Sequence, residues 1–82
     1  MQIESLKVFC DLAETASFTK AAQINGVTQS AVSQQISTLE TKFNAKFIER
    51  SKKKFTLTKE GNTLYKSSKQ IVQTYDELRH RI

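Results

Sequence analysis

Apolar residues recur at helical spacing in four stretches of the chain, and one short stretch between the third and fourth breaks that rhythm. In residues 3–16, Ile3, Leu6, Phe9, Cys10 and Ala13 form a stripe that Leu12 and Ala16 broaden. Glu4 suits the positive end of that helix, and Asp11 and Glu14 are left for solvent. Ser17 is placed to cap a second helix over FTKAAQIN, with Phe18 as a staple-like anchor. Ala21 and Ala22 are small enough to let another helix come close. Asn25 falls inside the apolar arc of this helix and is expected to end it by bonding backbone carbonyls. Gly26 accepts a positive φ and turns the chain. Thr28 then caps a third helix, residues 28–43, in which Val32, Ile36, Leu39 and Phe43 share one narrow arc. The second helix, a tight turn holding Gly and the third helix make a helix-turn-helix.

The outer face of the third helix is unusual for a solvated one. It presents Gln29, Ser30, Ser33, Gln34, Ser37 and Thr41, with no acid and no large apolar residue. A face that merely meets water usually carries Glu and Lys pairs. Short neutral donors and acceptors suit the edges of bases in a DNA groove. A plain solvated face is the alternative reading of these positions.

Residues 46–58, KFIERSKKKFTLT, read as two short strands, Phe47 to Arg50 and Phe55 to Leu57, around the tip Ser51-Lys52-Lys53-Lys54. Beyond them a fourth helix begins at a Thr58 cap, with Glu60 in its first turn. Leu57, Gly61, Leu64, Ser68, Ile71, Tyr75, Leu78 and Ile82 alternate spacings of four and three, a heptad-like seam in which Val72 also lies close. Only the first turn is expected to pack on the chain's own core. The remainder would leave too much apolar surface bare, so a partner helix is expected, most simply a second copy of the chain.

Charge sharpens this picture. The net charge of +5 is unevenly spread: residues 1–45 carry net −1 and residues 46–82 carry net +6. Such a local excess is the footprint of a polyanion partner, although a membrane surface also attracts it. Eighty-two residues allow one small domain. Cys10 is alone, which excludes an intrachain disulfide and fits a reducing compartment; beside no base or second thiol it reads as a small core residue. No signal peptide and no apolar run of membrane-spanning length is present, so a cytoplasmic protein is expected. The single histidine, His80, sits between Arg79 and Arg81 and reads as solvent-facing. With one His, one Cys and no Gly-rich phosphate loop, no catalytic constellation, cofactor or metal site is expected. Three functions stay open from the residues alone: a sequence-specific DNA reader, a non-specific nucleoid binder, and a helical adaptor for another protein. The adaptor would more often expose aromatic anchors on the polar face, and residues 29–41 expose none.

The stretch SFTKAAQINGVTQSAVSQQISTLE, followed by FIERSKKKFTLTKEG, resembles the N-terminal DNA-binding domain of LysR-type transcriptional regulators. The resemblance runs from Leu6 to Gly61 through Phe9, Ser17-Phe18-Thr19, Ala21-Ala22, Val27-Thr28-Gln29, Ala31-Val32-Ser33, Ile36, Leu39-Glu40, Glu49-Arg50, Leu57-Thr58 and Gly61. It implies a mainly α winged helix-turn-helix: three helices and a two-stranded wing in residues 1–58 (helix-turn-helix 18–37, wing 46–57), then a dimerisation helix in 59–82. It further implies that the third helix enters the major groove and the wing lies over the minor groove. Ser30 stands where the family commonly has Pro, Gln34 where Arg is frequent, Asn25 where Leu is usual, and Lys occupies a tip that often holds Gly.

Gln29 and Ser33 are then the expected base readers, with Gln34 and Ser30 behind them. Thr19, Lys20, Thr28, Arg50, Ser51, Lys52, Lys53 and Lys54 are expected on phosphates or in the minor groove. Leu64, Ser68, Ile71, Val72, Tyr75, Leu78 and Ile82 are expected in the dimer seam. The implied partners are double-stranded DNA with a two-fold-related operator and a second copy of the chain, with a higher homo-oligomer for the whole regulator. The resemblance places the protein in a bacterial cytoplasm, associated with the nucleoid. A small-molecule effector would bind a C-terminal domain outside these residues, this chain being a fragment of such a regulator.

Overall fold

The computed structural model describes residues 2–82 and contains four helices: α1 (Ile3–Thr15), α2 (Phe18–Asn25), α3 (Gln29–Phe43) and α4 (Lys59–Arg81). Helix α1 is the central post, with α2, α3 and α4 all packed against it. Leu6, Val8, Phe9 and Leu12 of α1 meet Ala21 and Ala22 of α2, Val32, Ile36 and Leu39 of α3, and Phe47 and Ile48 beyond it. Val32 and Ile36 are fully buried, as their spacing predicts.

The caps follow the sequence closely. The Ser17 hydroxyl accepts from the Lys20 N–H (3.1 Å), that of Thr28 from the Ala31 N–H (3.0 Å) and that of Thr58 from the Gly61 N–H (2.9 Å). Gly26 has φ +63° and closes α2, its N–H bonded to the Gln23 carbonyl while Val27 reaches back to that of Ala22. Asn25, the last residue of α2, donates to the Ala21 carbonyl (2.9 Å), and it also donates to Asp11 (2.9 Å). Asp11 is therefore not a solvent-facing acid: its part-buried carboxylate gathers Lys7 and Asn25 and ties α1 to α2.

Other expectations are overturned. Ala16 does not extend the apolar stripe of α1. It adopts φ +54° and ends the helix, in a turn pinned by the Thr15 side chain, which bonds both the Asp11 carbonyl and Ser17. Phe43 is 46% exposed, because α3 stops there: Asn44 turns left-handed (φ +51°) and the chain leaves before the ring can be covered. The two strands expected in residues 47–50 and 55–57 reduce to one antiparallel bridge, Ile48 to Leu57. Glu49 N–H donates to the Thr56 carbonyl (2.8 Å) and Thr58 N–H to that of Phe47 (3.0 Å). Further out, side chains take the bonds a ladder would need. Ser51 turns its hydroxyl and its N–H onto the Glu49 carboxylate, and Thr56 bonds the Lys54 carbonyl. Residues 46–58 thus form an arm with a fastened base and an open tip.

That base is held against the body by aromatic edges: Phe47 meets Phe9 (5.8 Å) and Phe43 (6.1 Å), and Phe55 meets Phe18 (6.3 Å). Gly61 lets α4 start at this point, since a Cβ there would stand 2.1 Å from the Phe47 carbonyl oxygen.

Candidate nucleic-acid interface

Thr28 fixes the start of α3, and the buried stripe fixes its roll. Gln29, Ser30, Ser33, Gln34, Ser37 and Thr41 consequently all face outward and exposed. No charge interrupts them. The Gln29 amide donates to the Thr19 hydroxyl (2.8 Å), so the two residues stand side by side at the mouth of the helix-turn-helix. Lys20 and Thr28 are exposed beside them. Toward its C-terminal end the same face grades into base: Thr41 shares one concavity with Gln34 and Lys42, and another with Glu40 and Lys46.

Glu40 joins this face to the arm. Its carboxylate is only 6% exposed, accepts from the Phe47 N–H (2.9 Å) and stands 3.6 Å from the Arg50 guanidinium. Arg50 remains 51% exposed beside Glu40 of α3. Ser51, Lys52, Lys53 and Lys54 form the exposed tip, and no carboxylate pairs with these lysines among the described residues. Hydrogen bonds from Ser51 hold the Glu49 carboxyl below its ordinary range, so one negative charge persists at the root of the tip. Glu40 is a site residue that the sequence pattern alone does not single out. Its signal was an acid flanking an apolar stripe just ahead of a basic segment.

The expected seam residues divide between two surroundings. Leu64 and Val72 pack on the chain's own core together with Tyr65, and Ser68 is wholly buried with no partner for its hydroxyl. The expectation that Ser68 faces a second copy is therefore corrected, and packing on the body runs well past the first turn. Tyr65 and Lys69 both hold Glu14 of α1, and their hydrogen bonds keep its carboxyl below the usual range. Ile71 (45%), Leu78 (52%) and Ile82 (96%) are exposed, and Tyr75 is half-buried under Arg79. Phe43, whose spacing predicts a core position, instead lines an open groove of about 450 Å³ with Leu6, Phe47, Leu64 and Ile71.

Cys10 is buried, and burial above all, with Glu14 adding to it, pushes its thiol up to about 11, which leaves it protonated and unreactive at neutral pH. Among the described residues no group of three or more His, Cys, Asp or Glu gathers to hold a metal ion, and no helix is long and apolar enough to cross a membrane.

Residues 3–62 match the family model described as bacterial regulatory helix-turn-helix protein, lysR family. The HTH-type transcriptional regulator CysL of Bacillus subtilis (strain 168) is 38% identical over 82 residues, all of this chain and 27% of that protein. The chain thus spans about a quarter of the length of the curated relatives it matches. Among solved structures, BenM_DBD in complex with catB site 1 DNA superposes with a TM-score of 0.92 at 28% identity, over 99% of this chain and 91% of that one. Vibrio fischeri DarR in complex with DNA gives 0.90 at 27% identity, over 99% of this chain and 28% of that one.

Proposed function

The chain belongs to the lysR family of bacterial regulatory helix-turn-helix proteins, and we propose that α3 reads base edges in the major groove while the 46–58 arm sits as a wing over the neighbouring minor groove. One observation carries this reading: the outer face of α3 is exposed and uncharged, and the exposed Arg50 at the root of the lysine tip is tied to α3 through Glu40. Gln29 and Ser33 read bases, with Ser30 and Gln34 beside them, while Thr19, Lys20, Thr28, Arg50, Ser51 and the three lysines grip the backbone. Residues 1–58 are the reading unit and residues 59–82 the dimerisation helix.

Two copies pair through the exposed flank of α4, where Ile71, Tyr75, Leu78 and Ile82 offer apolar surface next to the Phe43 groove. Paired copies place two α3 helices on two-fold-related half-sites. Activation and effector response belong to parts of the regulator outside these residues, and its work on the chromosome places it in the cytoplasm.

Selection of duplexes from a random library, followed by titration of the selected and a scrambled duplex at two salt concentrations, tests the reading. A clear preference for the selected duplex together with a steep salt dependence supports it; equal binding to both removes base reading. Leu78→Asp is expected to shift sedimentation toward monomer. A dimer that survives it puts the pairing surface elsewhere.

A further inference from the structure

Glu40 is an acid on a helix that otherwise turns a neutral or basic surface toward the arm, and it is almost completely buried. A carboxylate in that position needs partners, and it has two on different parts of the arm. One oxygen accepts from the Phe47 N–H (2.9 Å), at the arm's base. The other faces the Arg50 guanidinium (3.6 Å), just before the tip. The arm has only one β-bridge of its own, at Ile48 and Leu57, so little within it fixes where Arg50 points. The guanidinium carries five donors in a rigid fork, and a single carboxylate oxygen leaves most of them outward. Ser37, one turn before Glu40, and Thr41, immediately after it, share a concavity with it and stand on the proposed reading face.

We infer that Glu40 is a positioning residue for DNA recognition: it ties Arg50 to α3, so that the minor-groove contact and the base-reading side chains are presented at a fixed separation. The inference rests on the DNA-reading proposal above. Arg50 released from Glu40 still attracts phosphate, but at no particular place along the duplex. Loss of the Glu40 charge therefore leaves affinity for arbitrary DNA equal or higher, and lowers the preference for the correct sequence.

Glu40→Gln separates the two roles of this side chain. The amide oxygen still accepts from Phe47, whereas its NH₂ replaces an acceptor with a donor opposite the guanidinium. The test uses the 82-residue chain, the duplex selected by the parent chain and a scrambled duplex of equal composition. The expected result for Glu40→Gln is scrambled-duplex affinity at or above the parent's, with the preference ratio reduced by about three- to tenfold. In an Arg50→Ala background the same change is expected to leave the ratio within about twofold, because the residue acts through Arg50.

A folded Glu40→Gln chain with an unchanged ratio overturns the inference, as does an equal drop in the Arg50→Ala background. Arg50→Lys tests the pair without touching the buried carboxylate, which keeps the question open to experiment if Glu40→Gln does not fold. It is expected to lower the ratio of selected- to scrambled-duplex affinity by about three- to tenfold, whatever its effect on scrambled-duplex affinity, and an unchanged ratio overturns the inference. A parent chain that prefers no duplex defeats the DNA-reading proposal and this inference together. A parent that discriminates beside an equally discriminating Glu40→Gln defeats this inference alone.

Discussion

The outer face of α3 carries Gln, Ser and Thr and no charge, whereas the arm that follows carries Arg50 and three consecutive lysines. The α3 face is set by local rules: a Thr28 cap, a buried stripe and an Asn44 stop. The arm is set by distant ones, namely the edges of Phe9, Phe18 and Phe43 and the buried Glu40. A rigid neutral surface can discriminate between sequences but attracts DNA weakly from a distance. A loosely built cationic arm does the reverse. Neither alone makes a selective binder at cellular salt.

Exchange of Lys52, Lys53 and Lys54 for Ala should produce the largest change. Binding to selected and scrambled duplexes is expected to weaken alike, with the salt slope falling by about 2 to 3. An unchanged slope would take the tip off the DNA. Gln29→Ala is expected to cost about 1–3 kcal/mol on the selected duplex and little on the scrambled one. Equal losses on both would make α3 another phosphate contact and erase the contrast with the arm.

Gly61→Ala attacks the arm's base by placing a methyl group against the Phe47 carbonyl. Thermal unfolding should show a loss of about 1–3 kcal/mol, and a parent-like midpoint would mean that α4 and the arm are not locked together.

The smallest effect concerns Glu49. Its carboxyl is held low by Ser51, so the bond steadies the tip above the ordinary carboxylate pKa and is lost as pH falls through the depressed value. Glu49→Gln should remove that acid-dependent part of the unfolding midpoint. At neutral pH it should modestly strengthen binding to both duplexes, with the α3 preference untouched.

The same contrast governs what could be read in advance. Ser17, Gly26, Thr28 and Thr58 each act within a few residues of themselves, so α2, α3 and the start of α4 were legible from the chain. The outward polar face of α3 followed directly, because burying Val32 and Ile36 leaves it no other orientation. Phe43 shares their arc but not their fate, since cover for it depends on where the chain goes after Asn44. The paired strands failed because β-propensity says nothing of Ser51 turning back onto Glu49. Glu40 reaches a backbone N–H seven residues ahead, a contact that no local pattern announces. On α4, spacings of four and three describe a stripe without saying what lies against it. Leu64, Ser68 and Val72 turn inward while Ile71 and Leu78 turn out.

Helix α4 has 23 residues and a length of about 35 Å, and its packing on the body involves Leu64, Tyr65, Ser68 and Val72, leaving the last two turns projecting. If two copies join along those projecting ends, as proposed above, each would behave as a lever that carries its own helix-turn-helix. A change of about 10° in the angle at which the levers cross would swing a helix-turn-helix about 30 Å away by about 5 Å, more than the ~3.4 Å step between neighbouring base pairs. The crossing angle of the two paired helices would therefore act as the ruler that sets which spacing of half-sites such a dimer accepts.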